Sequence, residues 1–456
     1  MRTDRFTRRV RIAAPADEVF AWHARPGALE RLTPPWSPVE VVGRSGGIED
    51  GAEVLLRLPL GPLRIDWRAR HSDYQSGRQF RDVQISGPFA RWEHTHRIEP
   101  EGERACQLED TIEYALPLGA VSMPLGSGMV RRMLGALFEF RHRRTVLDMK
   151  AHATYAGAPL TVVVSGASGL VGSSLLPFLT TGGHRVVPMV RARGGPAGVF
   201  WDPVARVIDR AGLERADAVV HLAGESIASG RWTPERKARI RASRVEGTRL
   251  LCEALAALDA RPRTLVCASA IGFYGDRGDA ELDEASPRGT GFLADVCAEW
   301  EAATAAARAA GVRVVHLRFG VILTPAGGAL ARMLLPFRLG AGGVLGSGRQ
   351  YMSWIAIDDA VGAIHHALVT PALDGPVNAV APMPVTNREF TRALGRVLRR
   401  PTVFPVPAVM ARLAFGEMAD ELLLASARVV PRKLRDSGYA FREPDIEAAL
   451  RHLLGR

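Results

Sequence analysis

The sequence predicts two folds in series: an α+β domain on an antiparallel sheet, then a doubly wound α/β domain on a parallel sheet. Three observations carry this reading. Before residue 155 several stretches alternate polar and apolar residues with period two, the mark of a half-buried strand. Beyond Leu160 short apolar runs alternate with longer helical ones, the pattern of βαβ units. A glycine-rich turn, Ser165 to Gly172, joins the first of those runs to a helix.

Length and composition fit two or three domains. The chain has 456 residues, 47% hydrophobic and 23% charged, and a mean hydropathy of +0.01, which excludes disordered, collagen-like and coiled-coil chains. The boundaries expected are 1–155, 160–400 and 401–456, the last a helical C-terminal domain. Four cysteines, Cys106, Cys252, Cys267 and Cys297, include no CxxC pair. They give neither a disulfide framework nor a zinc site, so a reducing, cytoplasmic setting is expected.

The net charge of +11 comes from 59 Lys+Arg against 48 Asp+Glu, and only Lys150, Lys237 and Lys433 are lysines. The excess is spread along the chain without a basic tail, so nucleic acid is not an expected partner. Met1 to Arg9 is followed by no apolar run, and no signal peptide is expected. An uncharged stretch, residues 151–184, imitates a membrane span over Leu160 to Leu179. It contains Ser165, Gly166, Ser168, Gly169, Gly172, Ser173, Ser174 and Pro177, and reads as strand, turn and helix, so no span is expected.

In the first domain a strand over Arg8 to Ile12 leads to a helix over Ala16 to His23. Alternation marks strands in Leu63 to Arg70, Phe80 to Ile85 and Arg91 to Ile98. A helix from Ser127 to Lys150 should pack Met133, Leu137, Phe140 and Leu147 on the sheet. Trp67, Phe80, Trp92 and Tyr114 either line an apolar cavity or fill a small core. His94 and His96 share a strand face at a spacing that suits a metal. The sequence shows no third ligand, so they read as solvated or core histidines and no metal is assigned. This arrangement, with the opening Val10 to Phe20, resembles the START-like helix-grip proteins of the SRPBCC superfamily. The resemblance implies a curved sheet gripping a helix around a cavity for an apolar ligand.

In the second domain strands are expected at Leu160 to Val164, His184 to Val190, Ala218 to Leu222, Thr264 to Ala268 and Val312 to Leu317. The first enters the turn Ser165-Gly166-Ala167-Ser168-Gly169-Leu170-Val171-Gly172. Gly166 permits the tight turn, Gly169 lets a pyrophosphate approach the backbone, and Gly172 lets the helix pack on the strand, with the phosphates at the helix N-terminus. Ser168, Leu170 and Val171 complete the cradle. The second strand ends Met189-Val190-Arg191-Ala192-Arg193. An NAD site would place Asp or Glu there; Arg191, beside Val190, favours a 2′-phosphate and hence NADP over NAD.

The GxxGxxG spacing, with Asp217 to Glu225, Ser243 to Leu251, Ala268 to Asp276 and Trp354 to Asp359, resembles the extended short-chain dehydrogenase/reductase superfamily. Residues 160 to about 452 are most similar to its atypical epimerase-family branch, through Gly224 to Trp232, Gly346 to Trp354 and Phe415 to Leu424. The resemblance implies a Rossmann-type domain in which Leu222, Ala223 and Gly224 pass under the nicotinamide half of the cofactor, with Ala268 and Arg244 also at that site. Arg244 stands where extended members often carry asparagine.

That superfamily's chemistry uses a Tyr and a Lys four residues later. Val146, Thr233 and Val429 precede the three lysines by four, so the pair is absent, and Phe292 and Val296 take its place on the helix Gly291 to Trp300. Ser269 and Tyr274 remain as candidate catalytic residues, Ser269 donating to a substrate carbonyl and Tyr274 giving a proton; alternatively both merely line a loop. Cys297 reads as a buried helix cysteine. The segment Arg231 to Arg249 carries seven basic residues against Glu235 and Glu246, a solvated face or a phosphate contact. Arg338 and Arg349 sit in glycine-rich turns where a carboxylate or phosphate could bind. The function expected is an NADP-dependent oxidoreductase or epimerase-like enzyme. Its small, apolar substrate would be bound with help from the first domain, and a homodimer is allowed. The alternative is a non-catalytic NADP-binding sensor.

Overall fold

The computed structural model describes residues 3–37, 39–60, 63–117, 123–155, 157–192, 198–228 and 230–456. Two compact units are present, residues 1–157 with 177–183 and 455, and residues 158–176 with 184–454 and 456.

The first unit contains β1 (Asp4–Ile12), α1 (Ala16–Ala24), α2 (Ala28–Leu32), β2 (Glu40–Ser45), β3 (Glu53–Leu60), β4 (Leu63–Gln75), β5 (Gln79–Ser86), β6 (Arg91–Pro100), β7 (Cys106–Ala115) and α3 (Met123–His152). Its seven strands run in the order β1-β7-β6-β5-β4-β3-β2, every neighbouring pair antiparallel. The three alternating stretches lie in β4, β5 and β6, as expected. One apolar cluster joins Ile12, Phe20, Trp22, Phe80 and Leu108. A second joins Trp92, Ile112 and Tyr114 to Val130, Leu134 and Phe138 of α3, with Trp67 packed against it; Trp67 meets Trp92 edge-on at 5.0 Å.

The stripe expected on α3 is corrected. Val130, Leu134 and Phe138 enter the core, whereas Met133 is 53% exposed. Leu137 packs at the cluster's edge, and Phe140 is buried against the Trp36 ring. Steps of four residues keep 130, 134 and 138 over one another on the helix surface, and Met133, one residue off that row, turns outward while Leu137 and Phe140 pack as expected. The Arg31 guanidinium of α2 grips the Asp148 carboxylate of α3 through two 2.7 Å hydrogen bonds, both groups buried. His94 and His96 are buried, not solvated.

In the second unit the sheet strands are β8 (Thr161–Ser165), β9 (Arg185–Val190), β10 (Val199–Asp202), β11 (Val207–Ile208), β12 (Ala218–His221), β13 (Thr264–Ala270), β14 (Arg313–Phe319) and β15 (Gly375–Ala379). They lie in the order β11-β10-β9-β8-β12-β13-β14-β15 and are parallel except for the β10–β11 pair. The five expected strands are all present. Pattern reading misses β10, β11 and β15, which are too short, or too interrupted by Gly375, Pro376 and Asn378, to register as apolar runs. From β8 the chain winds outward to β9 and β10, then crosses back to β12. The boundary between β8 and β12 is therefore the point where strand order reverses, and ligands of such sheets bind at the strands' C-terminal ends there.

The helices that frame this point are α4 (Gly172–Thr181), α5 (Pro234–Ala256) and α6 (Phe292–Ala302). Thr233 caps α5, its side chain accepting from the Arg236 N–H, which satisfies one orphan donor. Val163, Val219, Leu265, Val314, Leu251, Leu255 and Trp300 form the core beneath the sheet. The segment expected as a separate C-terminal domain belongs to this unit. Its helix α8 (Ile446–Leu454) shares one core with α7 (Asn387–Leu398), Leu330 and Trp354. Among the described residues no helix is long and apolar enough to cross a membrane.

Leu134→Ala should lower the unfolding free energy by about 2–5 kcal/mol, and Met133→Ala should change it by no more than about 0.5 kcal/mol. Chemical denaturation followed by tryptophan fluorescence reads both, and the reverse ranking would contradict the burial assigned to α3.

Candidate functional site

The turn between β8 and α4 is built around two glycines that nothing else can replace. Gly166 has φ +68, and a Cβ there would lie 2.8 Å from the Leu222 carbonyl carbon and 2.9 Å from the Ala223 nitrogen. A Cβ on Gly172 would lie 2.3 Å from the Gly166 oxygen. The two residues thus clamp the turn against the end of β12 and α4 against the turn. Gly169 is different: a Cβ there would meet only the Gly166 oxygen, at 3.1 Å, and the residue is exposed. Its missing side chain opens the backbone outward, toward the position a pyrophosphate needs.

Below the turn a buried polar chain ties the two central strands together. Backbone N–H groups of Leu222 and Ala223 donate to Ser165 Oγ at 3.1 and 3.3 Å, so the hydroxyl proton is free to go to His221 Nδ1 at 2.6 Å. The remaining ring nitrogen then donates to Thr248 Oγ1 at 3.0 Å, which also accepts from Trp300 Nε1 at 2.9 Å. Burial holds the His221 imidazole down at about 4, neutral, as this single-direction chain requires. Ser165, Thr248 and Trp300 were not singled out by sequence reading, because a hydroxyl or indole carries no motif until its partner is known.

The expected cofactor residues converge on one rim. Ser168, Gly169, Gly224 and Arg191 are exposed, and Leu170, Val171, Val190, Leu222, Arg244 and Ala268 are partly so. They stand at the C-terminal ends of β8, β9, β12 and β13, except Arg244, which reaches in from α5. Its guanidinium lies about 3.5–3.7 Å from where a Gly224 Cβ would be, donates to the Ile240 carbonyl and stacks over Trp300 at 5.2 Å. Arg193 lies outside the described residues. Arg338 and Arg349 are exposed. On α5, Lys237, Arg241 and Arg249 pair with Glu417, Glu299 and Glu246, as a solvated face would.

The two candidate catalytic groups are engaged elsewhere. Ser269 is buried and donates to Glu301 Oε1 at 2.8 Å. Arg318 grips the same carboxylate with two 2.8 Å bonds and donates to the Tyr274 hydroxyl at 3.0 Å, while that hydroxyl donates to Asn378 Oδ1 at 2.7 Å. Tyr274 has no exposed surface, and burial raises its pKa. The expected proton donor is here a core phenol that ties the turn after β13 to β14 and β15. The Cys297 thiol is pushed up to about 12 by burial, a structural residue as read from sequence. At the start of α6, where the Tyr/Lys helix begins, Glu421 of the Phe415 to Leu424 stretch accepts from the Phe292 and Leu293 N–H groups at 2.9 and 3.1 Å, favoured by the helix dipole.

Two outcomes separate the roles of these residues. Gly172→Ala should lower the melting temperature and NADPH affinity together, whereas Gly169→Ala should weaken NADPH with a smaller thermal shift. Tyr274→Phe should cost about 1–3 kcal/mol of stability by orphaning Asn378 and Arg318 while leaving NADPH affinity unchanged. Differential scanning fluorimetry beside fluorescence titration reads both.

Family models match three stretches: polyketide cyclase / dehydrase and lipid transport over residues 12–138, the NAD dependent epimerase/dehydratase family over 162–380, and a domain of unknown function over 406–453. An epimerase family protein of Mycobacterium bovis is 46% identical over 294 residues, covering 64% of this chain and 97% of its own. Among solved structures, a nucleoside-diphosphate sugar epimerase of Corynebacterium glutamicum is 36% identical with a TM-score of 0.81, covering 99% of this chain and 90% of that one. The human epimerase family protein SDR39U1, isoform 2, solved with NADPH, is 35% identical with a TM-score of 0.60, covering 65% of this chain and 99% of that one. The chain belongs to the epimerase family, an atypical extended short-chain dehydrogenase/reductase preceded by a START-like unit.

Proposed function

We propose that this protein is an NADP(H)-binding oxidoreductase or epimerase-like enzyme acting on a small, apolar molecule. The observation that carries the reading is the glycine turn at the β8/β12 reversal with Arg191, and no carboxylate, at the end of β9. The NADPH held by the human relative supports the same cofactor. The residues fit it: Gly166 and Gly172 leave no room for side chains on the inner side of the turn, and Gly169 leaves the outer side clear. The turn and the start of α4 would hold the pyrophosphate, Arg191 the 2′-phosphate, and Leu222 to Gly224 the nicotinamide half. Bound there, the nicotinamide supplies a hydride donor or acceptor.

The chain's own residues would position the substrate and exclude water. Ser269 is the group closest in kind to the superfamily's carbonyl donor, and its use requires release from Glu301. A START-like unit on the same chain would raise the effective concentration of an apolar substrate at the second site. A second reading, a non-catalytic NADP(H) sensor, is favoured by one observation: both Ser269 and Tyr274 already spend their hydroxyl protons inside a buried network.

Stopped-flow oxidation of bound NADPH with a panel of carbonyl and enone compounds separates the readings. Turnover supports the enzyme; tight NADPH binding with no turnover across the panel supports the sensor. Arg191→Asp should weaken NADPH about tenfold or more, the value of a lost charged hydrogen bond, with NADH little changed. Equal NADPH affinity in variant and parent would remove Arg191 from the site.

A further inference from the structure

The inner face of the first unit's sheet carries a polar row where apolar residues would suffice. Strand register builds it. His71 of β4 stands opposite Asp82 of β5, Asp82 opposite His94 of β6, and His96 of β6 opposite Asp110 of β7. Residues directly opposite share a face and sit about 5 Å apart, so these five side chains form one patch, which α3 tops with His142. Every ion-pair partner of the two carboxylates among the described residues is a histidine.

We propose that Asp82, His94 and His96 bind one divalent transition-metal ion. One donor atom from each lies within 4.8 Å of the other two. Asp82 Oδ2 is 3.3 Å from His96 Nε2 and 3.6 Å from His94 Nδ1. Metal bonds of about 2.0–2.2 Å at tetrahedral angles place ligand atoms roughly 3.4 Å apart. The two separations from Asp82 Oδ2 match that spacing and the third pair lies within 4.8 Å, which leaves further positions for water or an oxygen ligand. Two imidazoles and one carboxylate suit Zn²⁺ or Fe²⁺ rather than Mg²⁺ or Ca²⁺.

Two of the three atoms that would not touch the ion, Asp82 Oδ1 and His94 Nε2, are already held as an outer shell holds them. Asp82 Oδ1 takes a 2.8 Å contact from His71 Nε2. His94 turns its far nitrogen, Nε2, to Asp110 Oδ1 at 2.9 Å, and His96 brings Nδ1 within 2.7 Å of the same oxygen. The second Asp110 oxygen is bonded to His142 Nε2 at 2.5 Å. The Asp110 carboxylate behind His94 fixes that ring's tautomer and orientation.

Charge and proton counting favour an ion over protons. Each ring makes one carboxylate hydrogen bond, His94 Nε2 to Asp110 and His96 Nε2 to Asp82, and the ring centroids are only 3.8 Å apart, so two positive charges there would repel strongly. A divalent ion would let both rings stay neutral, with His94 giving its remaining N–H to Asp110, and would balance the two carboxylates. Phe80 stacks on His96 at 4.2 Å and Phe138 meets His94 edge-on at 5.3 Å, so an aromatic wall flanks both imidazoles. The Asp82 side chain retains 23% of its exposure, which provides the route in.

The test uses the full, untagged chain, stripped with a chelator and titrated with Zn²⁺ and separately with Co²⁺. One equivalent should bind, raise the melting temperature and, for Co²⁺, produce visible d–d absorption. Asp82→Asn and His94→Gln should each weaken binding at least a hundredfold, and His71→Gln ten- to a hundredfold as an outer-shell change. NADPH affinity, read on the same samples, should not move. Less than one equivalent bound by the parent, or parent-like binding by folded variants, overturns the proposal. Should a variant fail to fold, zinc-edge X-ray absorption of the loaded parent decides. Two imidazole nitrogens and one carboxylate oxygen are expected, and a shell containing sulfur, or water alone, overturns it.

Discussion

The second unit depends on how closely β8 and β12 approach at their C-terminal ends. Parallel strands that belong to the two halves of a doubly wound sheet meet there, and the chain must leave both in opposite directions. Gly166 lets the turn lie directly on the Leu222–Ala223 peptide, and the Ser165 hydroxyl accepts from both N–H groups that follow β12. Neutral His221 carries the connection to α5 and α6 through Thr248. Everything on the cofactor rim, from Gly169 to Gly224, takes its position from this joint. An unpaired donor there would cost as much as a lost hydrogen bond, which is why the polar chain runs without a gap.

Loss of the Tyr/Lys pair does not leave a hole. The region beyond β13 is filled by Glu301, Arg318, Tyr274 and Asn378, each satisfied by the next, with Arg318 flat on the Phe273 ring at 3.5 Å. Such a network is worth having only when complete, and completeness fixes both hydroxyls that could otherwise serve chemistry. The C-terminal stretch joins in, since Glu421 caps α6 and Glu417 meets Lys237 of α5. These contacts make the segment continuous with the second unit's cores.

The first unit solves a different problem. A seven-stranded antiparallel sheet facing a long helix could close on apolar side chains alone, and at both ends it does, with one cluster around Trp22 and Phe80 and another around Trp92 and Phe138. Between them lie two carboxylates and four imidazoles whose charges balance only with help from protons or an ion. Buried ionic groups rarely add stability over well-packed apolar ones, and this row is the basis of the proposed ion site.

Strand and helix periodicity, the glycine turn and the Arg191 position were legible in the chain because each is a local pattern, set by which residues neighbour one another along it. The order of strands, β10, β11 and β15, and the face of α3 that enters the core were not, since they depend on what the second partner is. The same limit applies at the sites. The proposed cofactor rim comes mostly from one contiguous turn, so its place at the strand ends follows directly from the chain order. Ser269 and Tyr274 were visible as residue types, but Glu301, Arg318 and Asn378, which claim their hydroxyls, lie 32, 44 and 104 residues away from the groups they contact. His94 and His96 announced a shared face. Only antiparallel register set Asp82 and Asp110 beside them, because a hydrogen-bonded ladder brings together residues that the sequence keeps apart.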